Sequence, residues 1–552
     1  MPENGTSALS AADNLSFSSD KFFRKDFMEA VRRCTSITAG MRALYRIEIR
    51  DKESWVLDLR ESEPVLFKNG SQKNGPMPDV SIGLEEDDLK ALLLDPTHQD
   101  PGFQHRIRVE GNVALAGNLL EILRATHTAG PGSTPRSTDK DVSGELCGED
   151  VQSPLLARRI CEAGRSFSEA FWQQLMGKCP LAEPISDASR FVRLTFIYRG
   201  NQETRNVSVF GVDFDESSTV LTRFRDTDLW YCTERVEKDA RFTYNFAVTS
   251  EVKQATTQGT TVRTVTTVTV DPLNPYRYNG EAVVELPDAP AQPWLTVTPD
   301  ASAGALNQFQ IDSRYLKESR SIYVYTPPGY DDIIRTGREC GLLVLFDGEH
   351  RRQNTPGTYG FPAHVILDNL IAANRIPPMV SVMINNPTPE ARHRDLSCSE
   401  AFLNFVSDEL LPRVRKSYPA SSDPRKVIVS GASKGGLASV WFGFKRPDLF
   451  GNVLAQSGSF WWPGWRSADR KRAGIMEQIA AAPRVPVRFY LETGCFEGAS
   501  SGHILLTTRH LRDVLTAKGY EVIYSEFSGN HSPVNWRGTF PEALIALTKN
   551  PD

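Results

Sequence analysis

One short stretch constrains the fold of this chain more than any other: residues 426–437, KVIVSGASKGGL. A β-branched run typical of a buried strand leads into Gly-x-Ser-x-Gly, and residues suited to a helix follow. A serine on a sharp strand-to-helix turn needs small neighbours two positions away, and Gly431 and Gly435 meet that need. Such a turn lifts the Ser433 hydroxyl out of the sheet and directs the Lys434 N–H toward a developing oxyanion. The stretch therefore predicts a nucleophile elbow.

Strands and helices alternate around this elbow. The apolar runs Gly341–Phe346 and Met379–Ile384 suit buried parallel strands. This alternation predicts a doubly wound sheet, and together with the elbow it predicts an α/β-hydrolase domain over residues 296–552. The other expected strands are Arg320–Tyr325, Val427–Val429, Val453–Gln456, Val487–Leu491 and Glu521–Glu526, and the expected helices are Ala363–Ala373, Glu400–Ser417, Leu437–Arg446 and Leu505–Leu515.

The serine needs a base and an acid, which follow it in the chain order Ser, Asp or Glu, His. His531 lies in a loop just after the last expected strand, where the base belongs, and His503 is the weaker candidate. Glu497 lies on the loop past the strand Val487–Leu491 and is the favoured acid. Glu492, still at the strand end, is the alternate acid.

The loop after Gly341–Phe346 is expected to complete the oxyanion hole with Lys434. It reads Asp-Gly-Glu-His, and either Gly348 or Glu349 would supply the second N–H. Basic residues gather near these loops and predict an anionic substrate if they converge, the alternative being solvated surface charge. They are Arg351, Arg352, Arg392, Arg394, Lys434 and Arg537, of which Arg352 and Arg394 are the candidate substrate-binding residues.

An aromatic string follows the strand after the elbow and includes Trp461 and Trp462. These two rings could form a flat wall that binds an aromatic group, or they could cap the core.

The rest of the chain predicts two further domains. Alternating polar and apolar residues in VRLTFIYR and RFTYNFAV predict an immunoglobulin-like β-sandwich over residues 151–295. Residues 129–150 read as a linker, and residues 1–20 read as disordered. Residues 20–128 predict a small α+β domain. Its expected strands are Met41–Ile49, Ser54–Leu59, Val80–Leu84 and Arg106–Val109, and its expected helices are Phe22–Ile37, Glu85–Leu94 and Val113–Ala125.

Composition excludes several other classes of protein. The formal charge of −5 over 552 residues gives no case for a nucleic-acid partner. The eight cysteines are scattered singly, so neither a zinc site nor a disulfide framework is indicated, and no cofactor is expected. There is no apolar run that spans a bilayer and no secretory signal pattern, so a cytoplasmic protein is expected.

Two sets of sequence stretches resemble known families. The first set comprises RDL at 394–396, GASKGGL, LAQSGSFWWP, LETG, WRG at 536–538, DTDLWY and LPDAPAQPW. With these stretches, residues 165–552 resemble the enterochelin (enterobactin) esterase family. The resemblance implies hydrolysis of the ester bonds of a catecholate trilactone siderophore, often as its ferric complex, with Ser433 as nucleophile, His531 as base and Arg394 near the substrate. The second set comprises SWVLDL, PDVSIGLEEDDLKALL and RIRVEGNVALAGNLLEIL. With these, residues 20–128 resemble a sterol-carrier-protein-like domain, which implies an apolar ligand.

Two departures from that family leave other functions open. Lys434 borders the pocket where an aromatic or other residue is usual, and the sterol-carrier-like part is not a usual feature of siderophore esterases. An acyltransferase of natural-product biosynthesis, using the same site, is therefore one alternative. A lipid-binding protein with a degenerate hydrolase domain is another.

Overall fold

A computed structural model of the protein describes most of the chain from residue 151 onward. The described residues are 151–549 without 165–166, 187–188, 215–218, 257–258, 299–300, 353–360, 464–473 and 499–500, together with Met28 and five strands before residue 112. Two compact units make up the chain, Met1–Val142 and Ser143–Asp552. The expected disorder of residues 1–20, the expected linker 129–150 and the expected helices Phe22–Ile37, Glu85–Leu94 and Val113–Ala125 lie outside the described residues, apart from Met28.

The described part of the first unit is a five-stranded sheet in the order β3-β2-β1-β4-β5. Ile47 on β1 pairs with Trp55 on β2, and both are fully buried, so this face of the hairpin packs into a core. A strand overlaps each of the four expected ranges, with the bounds as predicted only for Val80–Leu84, whereas Val65–Lys68 was not anticipated. The strands are β1 (Leu44–Ile49), β2 (Glu53–Asp58), β3 (Val65–Lys68), β4 (Val80–Leu84) and β5 (Arg108–Gly111).

The second unit begins with two helices and two antiparallel sheets. One sheet has the order β6-β7-β10-β9, and the other has β12-β11-β14-β13 with β8 also paired to β11. Aromatic side chains fill the space between them, as where Phe196 of β7 meets Tyr244 of β11 at 5.0 Å between ring centroids. The elements are α1 (Pro154–Ala163), α2 (Glu169–Leu175), β6 (Leu181–Pro184), β7 (Phe191–Arg199), β8 (Thr204–Phe210), β9 (Thr222–Arg223), β10 (Leu229–Glu237), β11 (Arg241–Thr256), β12 (Gly259–Thr269), β13 (Arg277–Tyr278) and β14 (Glu281–Glu285).

An eight-stranded sheet in the order β15-β16-β18-β17-β19-β20-β21-β22 organises the rest. The six strands β17 to β22 run parallel to one another. The β15–β16 hairpin joins them at one edge, where β16 pairs antiparallel with β18. Every residue of β17 to β20 is buried, because helices cover both faces. The strands are β15 (Ala305–Ser313), β16 (Glu318–Thr326), β17 (Gly341–Phe346), β18 (Met379–Ile384), β19 (Val427–Ala432), β20 (Asn452–Gln456), β21 (Arg488–Gly494) and β22 (Glu521–Phe527).

The helices of this part pack on the two faces of the sheet, which separates two hydrophobic cores. They are α3 (Tyr330–Arg335), α4 (Ala363–Ala372), α5 (Pro389–Leu396), α6 (Glu400–Asn404), α7 (Leu411–Ser417), α8 (Lys434–Lys445), α9 (Ile475–Ala481), α10 (Ile504–Ala517) and α11 (Pro533–Thr548). Within the described residues, no helix is long and apolar enough to cross a membrane.

The expected single helix Glu400–Ser417 is interrupted by a π-helical segment, Phe405–Leu410. Pro412 has no N–H and its ring would clash with the carbonyl four residues earlier in a regular α-helix. The wider turn just before Pro412 relieves this conflict, so the segment is divided into α6, the π-helical turn and α7.

Candidate active site

Ser433 occupies the sharp turn between β19 and α8. Its backbone has φ 59° and ψ −123°, a conformation that non-glycine residues rarely adopt. A Cβ on Gly431 would lie 2.5 Å from the Gly435 carbonyl carbon. The backbone segments on the two sides of the turn are therefore in contact and leave no room for a side chain at Gly431. The Ser433 N–H donates to the carbonyl of Gln456 at 3.0 Å, which ties the turn to the end of β20. The elbow geometry that the sequence indicates is therefore present.

Two backbone donors are available for an oxyanion. The Lys434 N–H opens α8 and has no acceptor within the helix. After β17, the Gly348 N–H is already used, because it donates to the Ile384 carbonyl at 2.9 Å. No hydrogen bond in the described part of the chain uses the Glu349 N–H. Of the two alternatives in this loop, the geometry thus favours Glu349, and Gly348 serves close packing, with a Cβ there 2.8 Å from the Met383 carbonyl carbon.

The loop that carries Glu349 is held by charge pairs. Asp347 has φ 58°, and its carboxylate accepts from Arg392 Nε at 2.6 Å and Nη2 at 2.8 Å. Asn386 Nδ2 donates to Asp347 at 2.7 Å and to Glu349 at 3.0 Å. Arg392, one of the basic residues expected near the pocket, therefore holds the loop that carries Glu349.

His531 and Glu497, the candidate base and acid, are in direct contact. His531 Nδ1 lies 2.8 Å from Glu497 Oε2, and Glu497 is fully buried. The other carboxylate oxygen accepts from Ser457 Oγ at 2.5 Å and from the Gly494 N–H at 2.8 Å. A carboxylate on Nδ1 holds the tautomer whose Nε2 can accept a proton. The Trp536 ring meets the imidazole edge-on at 4.9 Å and limits its rotation.

Glu492 has other partners. Its carboxylate accepts from Gln456 Nε2 at 2.7 Å and from Thr539 Oγ1 at 2.5 Å. Burial raises the pKa of Glu492 to about 7, against the hydrogen bonds from Thr539 and Gln456, which lower it. Because Glu497 and not Glu492 contacts His531, the geometry favours Glu497 as the acid. The weaker base candidate, His503, begins α10, where its N–H donates to the Gly498 carbonyl.

The loop after β20 connects Ser433 to Glu497 through hydrogen bonds. Gln456 accepts the Ser433 N–H, and the next residue, Ser457, donates to Glu497. Ser459 Oγ lies 3.4 Å from Ser433 Oγ. Within the described residues no hydrogen bond joins Ser433 to His531, as is common where catalytic contacts tighten only around substrate. The sequence reasoning missed Ser457 and Ser459, although both stand directly after a predicted strand at the site edge.

The two candidate substrate-binding arginines already have partners. Arg394 pairs with Asp395 at 2.8 Å and with Glu318 at 2.5 Å, and about half of its side chain is exposed. The guanidinium of Arg352 lies 3.7 Å from the centroid of the Tyr323 ring. An anionic substrate would therefore have to compete with or supplement these contacts.

The two tryptophans have different positions. Trp462 is 6% exposed and belongs to the core, whereas Trp461 is 39% exposed. Of the expected aromatic wall, the structure thus presents Trp461. Lys434 Nζ lies 5.7 Å from the Trp461 centroid and 3.2 Å from Ser397 Oγ, so cation and ring are neighbours beside the elbow. Burial, together with the nearby Arg392, lowers the pKa of Lys434.

In the part of the chain that the structure describes, no group of three or more His, Cys, Asp or Glu residues could hold a metal ion.

Known proteins match successive parts of this chain. The SCP-2 sterol transfer family model matches residues 32–124, the enterochelin esterase N-terminal model matches 193–295, and the putative esterase model matches 313–547. An iron(III) enterobactin esterase of Dickeya dadantii is 29% identical over 421 residues, covering 69% of this chain and 92% of that protein. An iron(III) salmochelin esterase of Escherichia coli is 25% identical over 403 residues, covering 68% and 93%.

A solved structure agrees with these relatives. The crystal structure of an enterobactin esterase of Shigella flexneri, obtained in the presence of enterobactin, matches with a TM-score of 0.53 and 26% identity, covering 69% of this chain and 98% of that one. This chain is therefore a carboxylic ester hydrolase that belongs to the enterochelin (enterobactin) esterase family and carries an N-terminal SCP-2-like domain.

Proposed function

We propose that this protein is a serine esterase that cleaves ester or lactone bonds of a catecholate siderophore through an acyl-enzyme. The observation that carries the proposal is the 2.8 Å contact between His531 and buried Glu497 at the sheet edge that bears the strained Ser433. The named relatives, iron(III) enterobactin and salmochelin esterases, support a siderophore ester as substrate. Iron would arrive with the substrate and would not be a resident cofactor.

In the proposed reaction His531 Nε2 takes the proton of Ser433 Oγ as the oxygen attacks the ester carbonyl carbon. The carbonyl oxygen becomes an oxyanion that accepts from the N–H groups of Lys434 and Glu349. The carbon–oxygen bond then breaks, and the imidazolium returns its proton to the departing alkoxide. Water, activated by the same imidazole, hydrolyses the acyl-enzyme and restores the Ser433 hydroxyl.

We assign the fold classes accordingly: an α/β-hydrolase domain over residues 296–552, an immunoglobulin-like sandwich over 151–295, and a sterol-carrier-like domain over 20–128 after which residues 129–150 act as a linker. The eight-stranded sheet with its strained serine turn supports the first, and the two aromatic-filled antiparallel sheets support the second. We also propose a cytoplasmic location, where iron released from the siderophore would be used.

Labelling by a fluorophosphonate probe tests the nucleophile, and mass spectrometry of ferric enterobactin digests tests the substrate. Ser433→Ala should abolish both labelling and hydrolysis. Ser459→Ala is the matched control, because its hydroxyl is the neighbouring one at 3.4 Å, and this variant should still be labelled. Full turnover by Ser433→Ala would refute the proposal, and labelling that depends on Ser433 would exclude a degenerate hydrolase that only binds lipid.

Acyl transfer is the second candidate, and the SCP-2 match over residues 32–124 favours it. In this case an alcohol or amine would capture the acyl group from Ser433 in place of water. Product analysis with and without such an acceptor separates the two. Product that is only the free acid, at a rate unaffected by acceptor, would exclude transfer.

A further inference from the structure

The acid and the base of the proposed site are each preceded by a residue that is buried in the β-sandwich. Phe496 stands directly before Glu497, and Asn530 stands directly before His531. Neither residue belongs to a strand of the eight-stranded sheet. The side chains of both contact residues of β11.

Phe496 is part of the sandwich core. Its ring centroid lies 5.1 Å from that of Phe214 and 5.7 Å from that of Phe242, with near-perpendicular geometry to the latter. Its backbone carbonyl also accepts the Asp213 N–H at 3.3 Å. The side chain is 7% exposed, so it is held as firmly as a residue of the sandwich itself.

Asn530 is anchored by polar contacts. Its Nδ2 donates to the carbonyls of Gly211 at 2.6 Å and Thr243 at 2.7 Å, and its Oδ1 accepts the Thr243 N–H at 3.1 Å. The side chain thus bonds the backbone of β11 and of the segment after β8, and it is 2% exposed. An amide in this position cannot shift without leaving buried backbone groups unpaired.

The two loops also brace each other. Gly529 accepts the Phe496 N–H at 2.9 Å, and the Ser528 carbonyl accepts the Arg241 N–H at 2.9 Å. A Cβ on Gly529 would lie 2.5 Å from the Arg241 carbonyl oxygen, so the backbones are in direct contact. Motion of either loop would therefore have to disturb both the other loop and β11.

We propose that the β-sandwich is a positioning element of the active site, which holds Glu497 and His531 in contact through Phe496 and Asn530. This inference rests on the proposed function, since it assigns these two residues to the acid–base pair of that site. Loops alone position side chains less well than strands and helices do. Misplacement by about 1 Å can cost roughly a hundredfold in rate, so an anchor on each loop has a direct catalytic value.

The test compares two substitutions in the full chain with two matched controls. Phe496→Leu and Asn530→Ala remove the anchors. Phe246→Leu removes a fully buried ring elsewhere in the sandwich, and Asn452→Ala removes a buried amide that likewise donates to two carbonyls, those of Arg425 and Val427, at the far end of the eight-stranded sheet. All four should lower the melting temperature, so stability alone does not separate them.

Turnover does separate them. With p-nitrophenyl acetate below the melting temperature, the anchor variants should lose about tenfold or more in kcat with little change in KM. The two controls should keep kcat within about twofold.

Two outcomes are decisive. Anchor variants whose kcat and KM match those of the controls would overturn the inference while leaving the esterase itself intact. Absence of Ser433-dependent hydrolysis in the unmodified protein would instead overturn the proposed function. An Asn530→Ala protein that does not fold is replaced by Asn530→Asp, which keeps Oδ1 and loses both amide donor bonds, and the same comparison applies.

Discussion

Glu492 and Glu497 are two buried carboxylates near the end of β21 that differ in their hydrogen-bond partners. Glu497 accepts hydrogen bonds at both carboxylate oxygens, from Ser457, Gly494 and His531. Glu492 has its hydrogen bonds on one oxygen, and among the described residues its buried Oε2 has no hydrogen-bond partner. Burial of a carboxyl oxygen without donors favours the neutral acid.

At Glu497 the expected effect concerns the tautomer of His531. Glu497→Gln places an amide next to Nδ1 and no longer selects the imidazole with a free Nε2, so kcat should fall by about 10³–10⁴-fold with a smaller change in KM. Steady-state hydrolysis of ferric enterobactin measures this. Glu492→Gln is the control. If Glu492→Gln lost more kcat than Glu497→Gln, the acid role would move to Glu492.

At Glu492 the expected effect concerns stability and pH. A carboxyl whose pKa rises from 4.5 to about 7 on folding binds more protons in the folded state between those pH values. Stability is therefore lost as the pH rises from 4.5 through 7. Glu492→Gln removes this loss, so its free energy of unfolding relative to wild type should increase by about 1–3 kcal/mol between pH 5 and pH 8. Urea unfolding of both proteins at pH 5 and pH 8 measures this change. The same difference in unfolding free energy between variant and wild type at both pH values would contradict the prediction.

Lys434 should influence which esters bind. Its half-buried ammonium beside Trp461 can attract an anionic aromatic group. Lys434→Met should raise KM for a catecholate or carboxylated aryl ester by about fivefold, equivalent to roughly 1 kcal/mol, and should leave KM for a neutral ester unchanged. Lys445→Met, at the exposed opposite end of α8, is the matched control. Equal changes for charged and neutral esters would exclude this role.

At the scale of elements, the turn between β19 and α8 depends on backbone contact. Gly431→Ala would place a methyl group 2.5 Å from the Gly435 carbonyl carbon, and neither side is a flexible side chain. The expected result is a loss of about 1–3 kcal/mol in unfolding free energy and a large loss of kcat, because Ser433 must shift. At Gly341 the added Cβ meets the movable end of Met379 at 3.3 Å, so Gly341→Ala should be mild in both assays. Normal activity in Gly431→Ala would show that the turn can relax.

Elements with a strong hydrophobic pattern could be predicted from the sequence, and those formed by other causes could not. The apolar runs of β17 and β18 were predicted with the bounds that the structure has. The edge strand β15, ALNQFQIDS, is mostly exposed and polar and was missed. The π-helical turn at Phe405–Leu410 depends on how Pro412 fits a packed helix, and no periodicity reveals that.

The candidate site shows the same limit at longer range. Ser433, His531 and Glu497 could be proposed from motif and order, because each stands next to a recognisable strand. The anchor residues Phe496 and Asn530 could not, since they look like ordinary loop residues. Asn530 and its partner Thr243 are separated by 287 positions, and only the assembled fold brings them together.

At the scale of the whole molecule, the residues of the candidate site lie in the unit Ser143–Asp552, which has its own cores. Removal of residues 1–142 should therefore leave kcat/KM for ester hydrolysis within about twofold, because no group proposed to act on substrate is lost. If the protein is instead an acyltransferase, the truncation should lower the yield of acyl transfer to an apolar acceptor while water remains a competent acceptor. Product analysis of the full and truncated chains distinguishes hydrolysis from acyl transfer. The Ser433→Ala variant of each chain gives the blank for product that does not depend on Ser433. A truncated chain that is folded by circular dichroism but hydrolyses no ester would show that the first unit contributes to the site itself.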